Sequence, residues 1–170
     1  MEIRKLNSSD VEDYVRLRIE ALRQNPEAFA TTYEETVSIG HGALVQKTME
    51  QLDSQESFTI GAFVEEKLVG VVAFIREQKT KMRHKGSVFA MYVTPSHRGK
   101  GIGKRLLEEL IERAKKLNGL EQLHLTVVAK NEAAVQLYRS LGFEVYGNER
   151  KSMKYEGQYW DEWLMVRFLT

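Results

Sequence analysis

The chain has 170 residues, 42% apolar and 29% charged, which suits one soluble domain with a core that needs no metal or disulfide staple. It has no cysteine, which excludes a disulfide framework, a thiolate nucleophile and a thiolate metal site. The formal net charge of +1 excludes a globally basic nucleic-acid footprint, so any anion site must be built locally.

No run approaches the roughly 18 apolar residues of a membrane helix. Met1-Glu2-Ile3-Arg4-Lys5 opens without the apolar segment of a secretory signal. The expectation is a cytoplasmic protein with no membrane and no nucleic-acid partner. Ile3 to Leu6 reads as a first strand. Ser9 and Glu12 fit a capping box, and Val11, Val15, Leu17, Ile19 and Leu22 continue as an amphipathic helix ending before Asn25-Pro26. Residues 27–37 read as irregular, and residues from about 41 to 53 as a weaker helix. Phe58 to Val64 and Leu68 to Ile75 are β-rich and flank Glu65-Glu66-Lys67, the pattern of a hairpin. Residues 77–86 read as a polar, basic loop. Val88 to Val93 is a strand stopped by Thr94-Pro95.

Residues 102–117 carry the clearest helix signal. Leu106, Leu107, Leu110, Ile111, Ala114 and Leu117 form one apolar stripe. Glu109 with Arg113, and Glu112 with Lys116, have the spacing of favourable helix-surface pairs, and Asn118-Gly119 supplies a stop. Leu123 to Val128 is a strand. Asn131 opens a helix to about Leu141 that Gly142 ends. Val145 to Tyr146 and Tyr159 to Leu169 read as closing strands. The order β, α, α, β, β, β, α, β, α, β, β implies a mixed sheet with helices on its faces.

The chemistry concentrates in Val93-Thr94-Pro95-Ser96-His97-Arg98-Gly99-Lys100-Gly101-Ile102-Gly103-Lys104. A strand ends, the chain turns, and three alternate glycines lead into the strongest helix. The first N–H groups of a helix lack intrahelical partners, and the helix dipole adds partial positive charge there. Glycines admit close backbone approach and positive φ. With Arg98, Lys100 and Lys104 around the opening, this is a local site for phosphate or pyrophosphate. A Walker loop fails at both ends: position 98 is Arg, and Gly103-Lys104 is followed by Arg105. A dinucleotide fingerprint fails as well, because its third glycine falls on Lys104 or Leu106.

Arg98-Gly99-Lys100-Gly101-Ile102-Gly103 resembles the acyl-CoA signature of the GNAT N-acetyltransferase superfamily, Arg/Gln-x-x-Gly-x-Gly/Ala. Met91-Tyr92-Val93-Thr94-Pro95 resembles that family's pantetheine-binding strand. Asn131-Glu132-Ala133-Ala134-Val135-Gln136-Leu137-Tyr138-Arg139-Ser140-Leu141-Gly142-Phe143 resembles its second motif. The resemblance implies one domain over residues 1–170. Its fold would be α/β, a central mixed, mostly antiparallel sheet of about six to seven strands flanked by about four helices. It implies acetyl-CoA as co-substrate and no metal. Amides of Arg98, Gly99, Lys100, Gly101, Ile102, Gly103 and Lys104 would hold the pyrophosphate, and main-chain groups of Met91, Tyr92 and Val93 the pantetheine. A backbone amide near Tyr92 would stabilise the oxyanion.

Asn131 has two compatible readings, a helix N-cap and a contact to the CoA arm. Tyr138 shares a helical face with Ala134, Leu137 and Leu141, the pattern of a core tyrosine. The resemblance implies that it also binds the cofactor and protonates the departing thiolate. The general base is open. Ser87-Val88-Phe89-Ala90-Met91-Tyr92 offers no acid, which leaves Glu34 or Glu35, whose bland reading is solvated surface. His84 and His97 are weaker candidates. The implied reaction is acetyl transfer to a primary amine of a small molecule by direct attack in a ternary complex. A protein or peptide amine, or a CoA-binding module without catalysis, are the alternatives. Analogy also suggests a homodimer.

Overall fold

The computed structural model describes residues 1–170. The elements run β1 (Glu2–Lys5), α1 (Val11–Gln24), α2 (Tyr33–Ser38), α3 (His41–Leu52), β2 (Phe58–Val64), β3 (Lys67–Arg76) and β4 (Lys85–Val93). They continue with α4 (Ile102–Lys115), β5 (Gln122–Val128), α5 (Glu132–Ser140), β6 (Glu144–Tyr155) and β7 (Gln158–Phe168). The strands form one seven-stranded sheet in the order β1-β2-β3-β4-β5-β7-β6. Every pairing is antiparallel except β4 with β5. This is the expected fold class, with one helix more than expected.

Each face of the sheet has its own core. On one face, Ile102, Leu106, Leu107, Leu110, Ile111 and Ala114 of α4, with Val135 and Tyr138 of α5 and Leu141 just after it, pack on Ile60, Val72, Phe74, Leu123 and Met165. On the other, Val11, Tyr14, Val15, Leu17 and Ala21 of α1 and Leu52 of α3 pack on Phe63, Leu68, Val71 and Tyr92. The helical stripes and the two-residue alternation of the strands thus meet as the sequence pattern requires.

Several local expectations change. The first cap is not Ser9 with Glu12. The N–H of Ser9 donates to Asn7 Oδ1 (2.9 Å), and the N–H of Asn7 donates to Asp10 Oδ2 (2.9 Å). Asp10 is drawn into that role because Arg4 also grips it through both carboxylate oxygens, at 2.8 Å each. Residues 27–37 are not wholly irregular. Thr32 and Glu35 form a reciprocal capping box that starts the short helix α2. In α4, Glu109 pairs with Arg113 at 2.6 Å as expected, whereas Glu112 pairs with Lys115 at 2.7 Å rather than Lys116.

β6 runs to Tyr155, far past the expected Val145 to Tyr146. It is an edge strand, so charged residues can occupy it without an apolar alternation to reveal them. The β2–β3 hairpin turns at Glu65 and Glu66, both at positive φ (49° and 63°), as a two-residue turn between Val64 and Lys67.

Gly86 stands where β4 still pairs with both neighbours. A Cβ there would lie 2.4 Å from Phe74 Cε2 and 2.7 Å from the Ile75 carbonyl oxygen. Gly86→Ala is expected to lower stability by about 2–3 kcal/mol, read as a reduced urea midpoint at unchanged slope.

Candidate functional site

β4 and β5 pair only over Lys85 to Ser87 with Gln122 to His124. Beyond Ser87 the two strands run on without pairing each other. β4 stays with β3, while β5 is held along its whole length by β7. The sheet therefore opens as a V. Within the V, β4 carries a bulge. Val71 faces Tyr92 and Ala73 faces Phe89, so β4 has one residue more than β3 over this stretch. Ala90 absorbs it at φ 54°. A bulge leaves its extra residue out of the ladder and re-aims the strand, freeing backbone groups beside Met91 and Tyr92.

The opening is a cleft of about 440 Å³. Met91, Tyr92, Val93, Arg98, Gly99, Gly101, Ile102, Gly103, Lys104, Asn131 and Tyr138 all line it. Of the residues singled out for cofactor binding, only Lys100 lies off the lining; its Nζ donates to the Ser96 carbonyl at 3.2 Å. Asn25, Ala28 and Phe29, from the connection between α1 and α2, complete the wall. They carry no local signal in the sequence, and only the packing of α1 brings them here.

One end of the cleft suits an anion. Gly99 and Gly101 take φ of 73° and 76°, and a Cβ on either would meet nothing within 4 Å, so both face open space. Arg105 N–H makes the first helical bond, to Gly101 O, and leaves the amides of Ile102, Gly103 and Lys104 for an outside acceptor. No acidic residue stands in the first turn of α4. Gly103 lets α4 approach β4 closely, since a Cβ there would lie 2.9 Å from Met91 Cε. Arg98 acts differently from a free cation. Its Nε donates to the Val93 carbonyl (2.8 Å) and its Nη2 to Asn25 Oδ1 (2.6 Å), and its guanidinium lies 5.4 Å from the Tyr92 ring centre. It braces the loop against β4 and the connection that follows α1. The Tyr92 ring turns into the core under α1, where its hydroxyl donates to Glu20 Oε1 at 2.9 Å.

The other end is made by α5. Asn131 is its N-cap, accepting from Ala134 N–H at 3.2 Å. At the C-terminus, Phe143 N–H bonds to Tyr138 O (3.1 Å) and Gly142 N–H to Arg139 O (3.0 Å), with Gly142 at φ 84°. This is a Schellman close, and its apolar contact is Tyr138 edge-on to Phe143 at 5.9 Å. The helix ending thus aims Tyr138. The residue is 7% exposed, and its hydroxyl makes no bond within the protein. It is not sealed either, because the sole buried side-chain polar atom without a partner is Arg167 Nε. The phenol therefore opens onto the cleft.

Burial pushes the Tyr138 phenol up to about 12, and burial followed by the Glu20 carboxylate does the same for Tyr92. Both stay protonated at neutral pH. Between pH about 10 and 12 the unfolded chain has released these protons while the folded chain keeps them. Stability therefore falls as pH rises through that window, by about 1.4 kcal/mol per unit for each tyrosine. Tyr138→Phe is expected to flatten this alkaline loss, measured as the urea midpoint against pH.

The acidic candidates stand outside the cleft lining. Glu35 Oε2 accepts from Thr32 N–H at 2.8 Å in the α2 cap. Glu34 is exposed and faces Tyr155, the last residue of β6, whose phenol it holds above its ordinary value ahead of Glu156. His97 lines the cleft, but its Nδ1 is taken up by Thr94 Oγ1 and Ser96 Oγ at 3.1 and 3.0 Å. His84 lies at the end of the 77–86 segment, and its carbonyl accepts from Glu121 and Gln122 N–H.

A family model described as acetyltransferase (GNAT) family matches residues 20–143. The chain belongs to the GNAT acetyltransferase family. An L-methionine sulfoximine/L-methionine sulfone acetyltransferase from Pseudomonas paraeruginosa is 39% identical over 80 residues, 47% of this chain and 44% of that protein. The chain thus spans less than half of that relative. A GNAT acetyltransferase structure from Streptococcus pneumoniae is 26% identical, with TM-score 0.88 over 99% of both chains. A GNAT phosphinothricin acetyltransferase from Sinorhizobium meliloti, solved with acetyl-CoA, is 25% identical, with TM-score 0.81 over 98% of this chain and 87% of that one. In this GNAT chain the two motifs read from the sequence make the two ends of the cleft.

Proposed function

We propose that the protein transfers the acetyl group of acetyl-CoA to a primary amine of a small molecule. One observation carries the reading. A buried phenol with no partner in the protein opens into a cleft whose far end is a glycine-lined, cationic helix start. A CoA thioester fits these groups. The free amides of Ile102, Gly103 and Lys104 suit the pyrophosphate, and the β4 main chain at Met91 to Val93 suits the pantetheine amides. Relatives named for acetylating methionine sulfoximine and phosphinothricin support a small acceptor.

In this reading a neutral amine attacks the thioester carbon. An N–C bond forms and the C–S bond breaks. Tyr138 gives its proton to the departing thiolate, and the amine nitrogen loses one. Backbone groups at the Ala90 bulge stabilise the oxyanion in between. Holding both reactants side by side supplies the rest. Glu34 stands outside the cleft and Glu35 is committed to its cap, so in this reading the amine's proton leaves to solvent water.

The test is calorimetric titration of acetyl-CoA into the wild type and into an Arg98→Ala, Gly101→Val double variant, followed by thiol release over a panel of amines. Binding that the folded variant loses, with turnover of a small amine, is the expected result. No binding by the wild type would overturn the reading. Turnover of peptides alone would move the acceptor to a protein amine.

A further inference from the structure

We infer that the cavity on the far side of the β4 bulge is the acceptor pocket, and that its acceptor is an amine bearing a carboxylate. This rests on the acetyl-transfer reading above and narrows its acceptor.

The cavity, about 160 Å³, lies between α1, α3 and β4. Its floor is Phe89 and Ala90, the residues of the bulge itself, while Met91 and Tyr92, next along the strand, line the cleft. The short connection after α1 bounds both spaces, Phe29 facing the cleft and Thr31 the cavity. One backbone kink therefore separates the two. A nucleophile held in the cavity approaches the strand from the face opposite the cleft, at the point where the ladder is broken.

The charge of the lining selects the acceptor. The cavity has two cationic side chains, Arg18 from α1 and Lys47 from α3, and no Asp or Glu. Neither cation has a carboxylate within 4.0 Å. Arg18 is half-buried and stacks over the Phe29 ring at 5.3 Å, which holds its guanidinium beside the opening without neutralising it. Thr48 cannot discharge this role, because its hydroxyl donates to Leu44 O at 2.8 Å. A half-buried guanidinium with an ammonium nearby is a seat for a carboxylate, which Arg can grip with two parallel hydrogen bonds. A polyamine or a basic peptide would meet repulsion there. An amino acid places its carboxylate on the cations and its amine toward the bulge.

The test compares L-amino acids, their primary carboxamides and the matching decarboxylated amines as acceptors at saturating acetyl-CoA. The wild type is expected to favour the carboxylates by about tenfold or more in kcat/KM. Arg18→Gln and Lys47→Gln are each expected to raise KM for the carboxylated acceptor about tenfold or more. KM for acetyl-CoA and for the carboxamide should stay within about twofold. Arg18→Lys should restore part of the loss. Lys47 is exposed, so Lys47→Gln still decides the matter if Arg18→Gln fails to fold. Equal use of carboxylate and carboxamide, equal KM rises for both, or no turnover of any carboxylated amine while acetyl-CoA still binds would each overturn the inference. Failure of the wild type to bind acetyl-CoA would bring down the reading beneath it, and the cofactor titration reports that separately.

Discussion

Tyr138→Phe is expected to lower kcat by about 10²- to 10³-fold while leaving the dissociation constant of acetyl-CoA within about twofold. The split follows from the geometry. The ring holds α5 against Phe143 through the Schellman close, and phenylalanine keeps that contact. The hydroxyl has no partner in the protein, so its removal breaks no internal bond and stability near neutral pH should barely move. What is lost is the proton that converts a thiolate leaving group into a thiol. Steady-state kinetics beside calorimetry of acetyl-CoA checks both halves. An unchanged kcat would leave Tyr138 as a packing residue and assign the proton to solvent.

Gly101→Val is expected to weaken acetyl-CoA binding by about 100-fold or more in a chain that still folds. Two effects add. Gly101 sits at φ 76°, where a β-branched residue costs about 1–2 kcal/mol or more. Its Cβ would also project into empty space at the mouth of α4, where the free amides point. The side chain would thus occupy the volume proposed for the pyrophosphate. Gly101→Ala separates the terms, since it keeps most of the strain and little of the bulk. Calorimetry with acetyl-CoA, alongside the thermal midpoint, reads each effect on its own axis. Retained affinity in the valine variant would remove the loop from the binding site.

Much of this was legible in the sequence because it is written in local order. The stripe from Leu106 to Ala114 named α4 and its buried face. The glycines before it and the stop at Gly142 named the two helix ends that matter. Asn131 was legible as a cap because an Asx side chain needs only the amides three residues on. The path of β6 was not legible, since an edge strand needs no apolar alternation. Nor was α2, whose six residues carry no stripe, although Thr32 and Glu35 spelled its cap.

The sequence by itself determined the helix and strand faces, the glycine-rich, cation-flanked start of α4, and the cap at Asn131. Only the tertiary structure decided that β4 and β5 part after Ser87, because pairing depends on partners distant in the chain. It decided that Ala90 carries the bulge, since nothing local marks an alanine at positive φ. It decided that Arg98 is spent bracing Asn25 and Val93, and that Arg18 and Lys47 line one cavity that has no carboxylate. Local propensity acts over a few residues, whereas these features arise where separate elements share one space.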